Sequence, residues 1–144
     1  MPEFDHSTST PAPPEEVWKL LYDPARFTEW WAGMRTAQVG DGEFVFVQDD
    51  VPDFPIPHRL QTGRDRHSVL ISCQLHDLVF DWRLAPGPGG TGTRISVHAE
   101  APATEADALA RQEPAIRASV ERLAELAASL SRSDGRGARG TSPA

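Results

Sequence analysis

Polar and apolar positions alternate almost from the first residue. In "EFDHSTST", residues 3–10, Phe4, His6, Thr8 and Thr10 share one face, which predicts a strand. Pro11, Pro13 and Pro14 end it, and a helical period follows. Val17, Trp18, Leu20 and Leu21 form an apolar stripe, with Pro14 in the first turn and Glu15 and Glu16 at the positive end of the helix dipole. Asp23-Pro24 stops this helix and opens a second, with Asp23 as its cap. Phe27, Trp30 and Trp31 fall at i, i+3 and i+4, and Gly33 ends the helix. Trp18 is expected in the core. Trp30 and Trp31 are adjacent, so on a helix they diverge by about 100°. One is expected to pack inward and the other to line or cap whatever the short helices cover.

Beyond Met34 the period returns to two. "MRTAQV" and "EFVFVQ" flank a hairpin turn at residues 40–42. "DDVPDFPIP", residues 49–57, reads as an acidic, proline-rich loop. "HRLQTGRDR" and "HSVLISCQL" are strands around a turn near Asp65, and "LVFDWRLAP" and "TGTRISVHAE" flank the glycine-rich tip "GPGG". Alternation gives an inward set of Phe44, Phe46, His58, Leu60, Thr62, Val69, Ile71, Cys73, Leu75, Phe80, Trp82, Leu84, Ile95, Val97 and Ala99. A long helix is expected over residues 104–131, with Thr104 and Asp107 as a capping pair. Ile116, Val120, Leu123, Ala127 and Leu130 step by four and three along one apolar face. Pro114 kinks this helix or marks its true start. The polar, glycine-rich residues 132–144 are expected to be a disordered tail outside a single domain, residues 1–131. A strand, two short helices, about six antiparallel strands and a long helix make an α+β fold, with the helix on one face of an antiparallel sheet.

Composition narrows the function classes. The 144 residues carry a formal charge of −7, which disfavours nucleic-acid binding. The acid is concentrated in residues 1–57, with eleven Asp or Glu against three Lys or Arg. No apolar run is long enough to cross a bilayer, and the N-terminal residues do not read as a signal peptide. A lone cysteine, Cys73, forms no internal disulfide and is compatible with a cytoplasmic location. No glycine-rich phosphate loop, GxSxG, CxxC or HExxH motif is present, so neither a cofactor nor a metal is expected. Asp49, Asp50 and Asp53 lack calcium-loop spacing. Asp81, Arg83, Arg94 and His98 fall on the outer, solvated face of the sheet. His6 and His58 are the inward histidines, able to hydrogen-bond a ligand or to move protons.

The sequence "TPAPPEEVWKLLYDPARFTEWW", followed by hairpin strands, "TGTRISV" and a long C-terminal helix, resembles the START-like or SRPBCC superfamily. Within it the chain looks most like the polyketide cyclase/dehydrase and lipid-transport group. The resemblance spans residues 3 to about 131. It implies a Bet v 1-like helix-grip fold, a curved sheet of about seven strands wrapped around the C-terminal helix with a cavity between them. It also implies a small hydrophobic, aromatic or polyketide-like ligand. The residues expected to meet that ligand are Trp31, Phe46, His58, Leu60, Cys73, Phe80, Trp82, Val97, Ile116 and Val120. A polyketide cyclase/dehydrase-type enzyme is the alternative, acting by substrate positioning with His58 or His6 moving protons. A third reading is a protein-interaction or co-chaperone-like module. There the last strand ends "SVHAEAP", without the His-Glu-Gly-like ending usual in co-chaperone relatives. A homodimer is common in this kind of fold.

Overall fold

The computed structural model describes residues 2–40, 42–48 and 51–140, and side chains at 36–38, 46, 48, 51–54 and 133–140 are not among those described. Strand β1 (Glu3–Thr10) leads into helix α1 (Pro14–Leu21) and a 3₁₀ helix (Pro24–Glu29). Strands β2 (Met34–Gly40), β3 (Glu43–Gln48), β4 (Val51–Thr62), β5 (Ser68–Cys73), β6 (Val79–Pro86) and β7 (Thr93–Glu100) follow, and helix α2 (Ala106–Gly140) ends the chain. The seven strands form one sheet in the order β1-β7-β6-β5-β4-β3-β2, and every neighbouring pair is antiparallel. β1 therefore crosses from the start of the chain to pair with the last strand.

The alternation read from the sequence sets the inner face. β1 runs exposed at odd positions and more buried at even ones, and β5 and β7 bury every second residue. Helix α2 lies over that face, packing on β1, β7 and α1. Ile116, Val120, Leu123 and Ala127 are buried on it and Leu130 is half-buried. This is the α+β helix-grip arrangement. No helix among the described residues is long and apolar enough to cross a membrane.

Local chemistry explains the corner after β1. Pro14 opens α1, and the Asp23 side chain accepts from the Ala25 N–H at 3.0 Å, as a capping aspartate should. Thr10 Oγ1 donates to the Ala124 carbonyl at 2.9 Å and Thr93 Oγ1 to the Ala12 carbonyl at 2.9 Å. These two buried hydroxyls tie the corner to α2 and β7, each satisfied by a carbonyl.

Several expectations require correction. Residues 51–57 belong to β4, with Val45 opposite Pro57 and Phe46 opposite Ile56. Prolines donate nothing to a ladder, yet Pro57 still accepts, from the Gln74 N–H at 2.9 Å, and a register shift between Phe46 and Gln48 absorbs the irregularity. Asp49 and Asp50 lie outside the described residues, as does the side chain of Asp53. Leu75 is exposed, because β5 ends at Cys73 and the chain turns, and Leu78 takes the inward place. Thr62 is also exposed, at the end of β4. Trp18 is half-buried against the core edge, stacked on Tyr22. Thr104 and Asp107 make no capping hydrogen bond among the described residues; a 3₁₀ turn over Ala103–Glu105 precedes the helix instead. Pro114 sits inside α2, eight residues past its start, and the helix runs to Gly140, while residues 141–144 lie outside the described set.

Candidate functional site

Strand β4 carries the residue that organises the site. His58 faces inward, opposite Phe44 on β3 and Cys73 on β5. Only 2% of it is exposed. Its ring stacks on Phe44, centroids 5.0 Å apart and planes 24° off parallel. Nδ1 lies 3.1 Å from the Ile56 carbonyl oxygen. A carbonyl only accepts, so Nδ1 carries the proton and Nε2 is the acceptor nitrogen. Burial penalises the imidazolium and pulls the pKa down to about 4, against a smaller upward pull from the Ile56 carbonyl. His58 is therefore a neutral imidazole at physiological pH and a weak base.

A cavity of about 60 Å³ opens beside it, walled by Trp31, Ile56, Cys73, Phe80 and Ala108. Exposed Arg111 and half-buried His76 and Gln112 mark its outer side. His76, in the β5–β6 turn, places Nδ1 2.9 Å from a carboxylate oxygen of Glu105, just before α2. That contact straps the turn to the helix start. The cavity has room for about two water molecules. Ligand sites for drug-sized molecules span about 300–1,000 Å³.

Aromatic side chains occupy the rest of the space between sheet and helix. Trp30 and Trp31 are both buried and stack on each other at 5.6 Å. Both also reach Trp82, at 5.2 and 6.1 Å. The expected divergence of the two adjacent indoles fails for a specific reason. The 3₁₀ helix ends at Glu29, and Trp30 has φ −133°, so helical spacing no longer applies where the two rings are placed. Trp30 Nε1 donates to the Leu20 carbonyl at 2.9 Å, and Ser119 Oγ on α2 accepts from the Ala32 N–H at 2.8 Å. Together these bonds hold Trp31 between α1 and α2.

Of the residues expected to meet a ligand, Trp31, His58, Cys73 and Phe80 come together at the cavity. Trp82, Val97, Ile116 and Val120 are in the packed core beyond it, and Leu60 is half-buried against that core. The Phe46 side chain lies outside those described. Ile56, His76, Leu78 and Arg111 line the cavity as well. Ile56 was hidden in a segment that read as a loop, and Arg111 in a helix turn with no motif. His6 stands apart, with Nε2 3.6 Å from Glu113 on α2, and it does not line the cavity. His6 Nε2 and Trp82 Nε1 are buried nitrogens without a hydrogen-bond partner among the described residues. On the outer face, His98 Nδ1 lies 2.8 Å from Asp5, and Nε2 lies 3.3 Å from Glu100 and 3.7 Å from Glu3. Glu3, His98 and Glu100 place their ligand atoms within 4.8 Å of one another, the grouping of described residues closest in form to a metal site. The hydrogen bond that His98 donates to Asp5 and the surrounding carboxylates raise the His98 pKa.

Residues 1–128 match the family described as polyketide cyclase/dehydrase and lipid transport. The chain belongs to this family. Solved structures agree on the fold. The protein XoxI from Bacillus cereus superposes with a TM-score of 0.75 at 13% identity, covering 90% of this chain and 98% of that one. A protein from Rhodobacter sphaeroides gives 0.68 at 18% identity, covering 90% and 93%. An AHSA1-like protein from Aeromonas hydrophila gives 0.62 at 16% identity, covering 84% and 91%. No curated protein matches the chain. As a polyketide cyclase/dehydrase and lipid-transport family member, the chain keeps the helix-grip frame of sheet and long helix. Large side chains fill most of the space that frame encloses.

Proposed function

We propose that this family member is a binding protein for a small hydrophobic molecule bearing a ring and a hydroxyl group, admitted at the His58 end of the sheet. The observation that carries this reading is the neutral, buried His58 set beside Trp31, Ile56 and Phe80 in the inner cavity wall. Its Nε2 has the chemistry to accept a ligand O–H, and Trp31 and Phe80 offer ring surfaces for stacking. A guest of that size needs the cavity to widen. The β5–β6 turn is the element suited to yield, because a partly exposed side-chain hydrogen bond such as His76–Glu105 contributes no more than about 1 kcal/mol. Binding fits better than proton transfer, since a base with a pKa near 4 is poorly matched to neutral pH. The single reduced cysteine suits a cytoplasmic carrier.

The test is a tryptophan-fluorescence titration with a flavonoid, an aromatic polyketide, a fatty acid and a sterol. Saturable quenching by a ring-bearing member, abolished in Cys73→Leu while circular dichroism is unchanged, is the expected result. A flat response to every ligand, or quenching that Cys73→Leu leaves intact, would count against the reading.

A further inference from the structure

At the opposite end of the sheet from His58, a groove of about 770 Å³ runs between α1 and the β4–β5 turn. Its volume is that of a ligand site. One wall is aromatic. Trp18 and Tyr22 stand at i and i+4 on the outer side of α1, so their rings meet. The centroids are 5.6 Å apart and the planes 19° from parallel. Tyr22 is 44% exposed, and Trp18 is the only tryptophan that is not fully buried.

The other wall is cationic. Arg64 and Arg66 are exposed in the turn, and neither is paired with a carboxylate among the described residues. The turn that presents them is ordered by its own hydrogen bonds. The Gly63 N–H donates to the Ser68 carbonyl at 2.8 Å, the Arg66 N–H donates to the Gly63 carbonyl at 3.1 Å, and Asp65 Oδ1 accepts from the His67 N–H at 2.9 Å. Arg66 holds φ +61°, a conformation few non-glycine residues keep. Glu15 and Asp65 also border the groove, with Asp65 engaged in the turn. Two unpaired guanidiniums facing a stacked indole–phenol pair are unusual on a chain of charge −7. Guanidinium forks match carboxylate and phosphate oxygens, and exposed ring faces match planar rings.

We infer that this groove is a second binding site, separate from the His58 cavity, for a planar aromatic anion whose ring stacks on the Trp18–Tyr22 wall and whose acid group meets Arg64 and Arg66. The experiment is an amide and indole NMR titration of the full chain with 2-naphthoate, 2-naphthyl phosphate and the neutral 2-naphthalenemethanol. The two acids are expected to shift residues 63–67 and the Trp18 indole saturably, with the alcohol about tenfold weaker or worse. Whichever acid binds more tightly identifies the headgroup. The exposed double variant R64E/R66E is expected to weaken the acids at least about tenfold, and Cys73→Leu to leave them unchanged. No saturable shift in the turn, equal binding of acid and alcohol, or sensitivity to Cys73→Leu in place of R64E/R66E would overturn the inference. The Cys73→Leu arm also separates failure here from failure of the His58 cavity.

Discussion

Burial of His58 should make this protein lose stability on acidification. Its folded pKa is about 4, against an ordinary value of 6.5 in the unfolded chain. Between those values the unfolded state binds the proton and the folded state does not. Stability therefore rises with pH across that window and falls as pH drops from 6.5 toward 4. At pH 5 the loss relative to pH 8 amounts to roughly 2 kcal/mol from this residue alone. Other groups titrate as well, so the useful quantity is a difference. His58→Gln keeps an N–H able to reach the Ile56 carbonyl and removes the titration. Urea denaturation of both proteins at pH 5, 6, 7 and 8 gives four differences in unfolding free energy. The wild type should lose about 2 kcal/mol relative to His58→Gln between pH 8 and pH 5, most of it below pH 6.5. A difference that stays flat across the series would mean that His58 is solvated or already charged, and the buried neutral acceptor at the cavity would be gone with it.

Other consequences are as direct. His98 titrates above its ordinary value because Asp5 accepts from it and Glu3 and Glu100 surround it. Its contribution to stability is thus complete below pH 6.5 and fades as pH rises through the folded value; imidazole NMR should give a midpoint above 6.5 that drops in Asp5→Asn. Trp30→Phe breaks the hydrogen bond to the Leu20 carbonyl and should cost about 2–4 kcal/mol in chemical denaturation. Trp82→Phe removes an N–H that pairs with nothing among the described residues and should cost at least about 1 kcal/mol less; the reverse order would contradict the two assignments. Gly92 and Gly89 both sit at φ +69°, but a Cβ at Gly92 meets the Thr10 carbonyl oxygen while one at Gly89 meets open space. Gly89→Ala should therefore cost about 1 kcal/mol and Gly92→Ala clearly more, as read from thermal midpoints.

The frame was legible because it rests on period and punctuation. Two-residue alternation in β1, β5 and β7 orients those strands without reference to the rest of the molecule. The Asp23-Pro24 cap and the four-and-three stepping from Ile116 to Leu130 are equally local. What could not be read depends on contacts distant in sequence. Residues 51–57 look like a loop because prolines weaken a strand signal, yet pairing with β3 and the Gln74 N–H holds them in the sheet. Leu75 obeys alternation only if β5 continues, and a turn ends it at Cys73. Trp30 and Trp31 converge because the 3₁₀ helix stops one residue before them, a boundary the i, i+3, i+4 spacing conceals. How much of the enclosed space stays empty is a sum over all those side chains, which no single segment of the sequence reveals.

A guest that enters beside His58 must perturb the residues that line its cavity. The most direct measurement is an amide NMR titration with whichever ring-bearing ligand quenches tryptophan fluorescence most strongly. Saturable shifts are expected at Ile56, Cys73, Leu78, Phe80 and Ala108, with the His76–Glu105 strap loosened. Shifts confined to the outer face of the sheet, or none at these five amides for any ring-bearing ligand at saturating concentration, would contradict it.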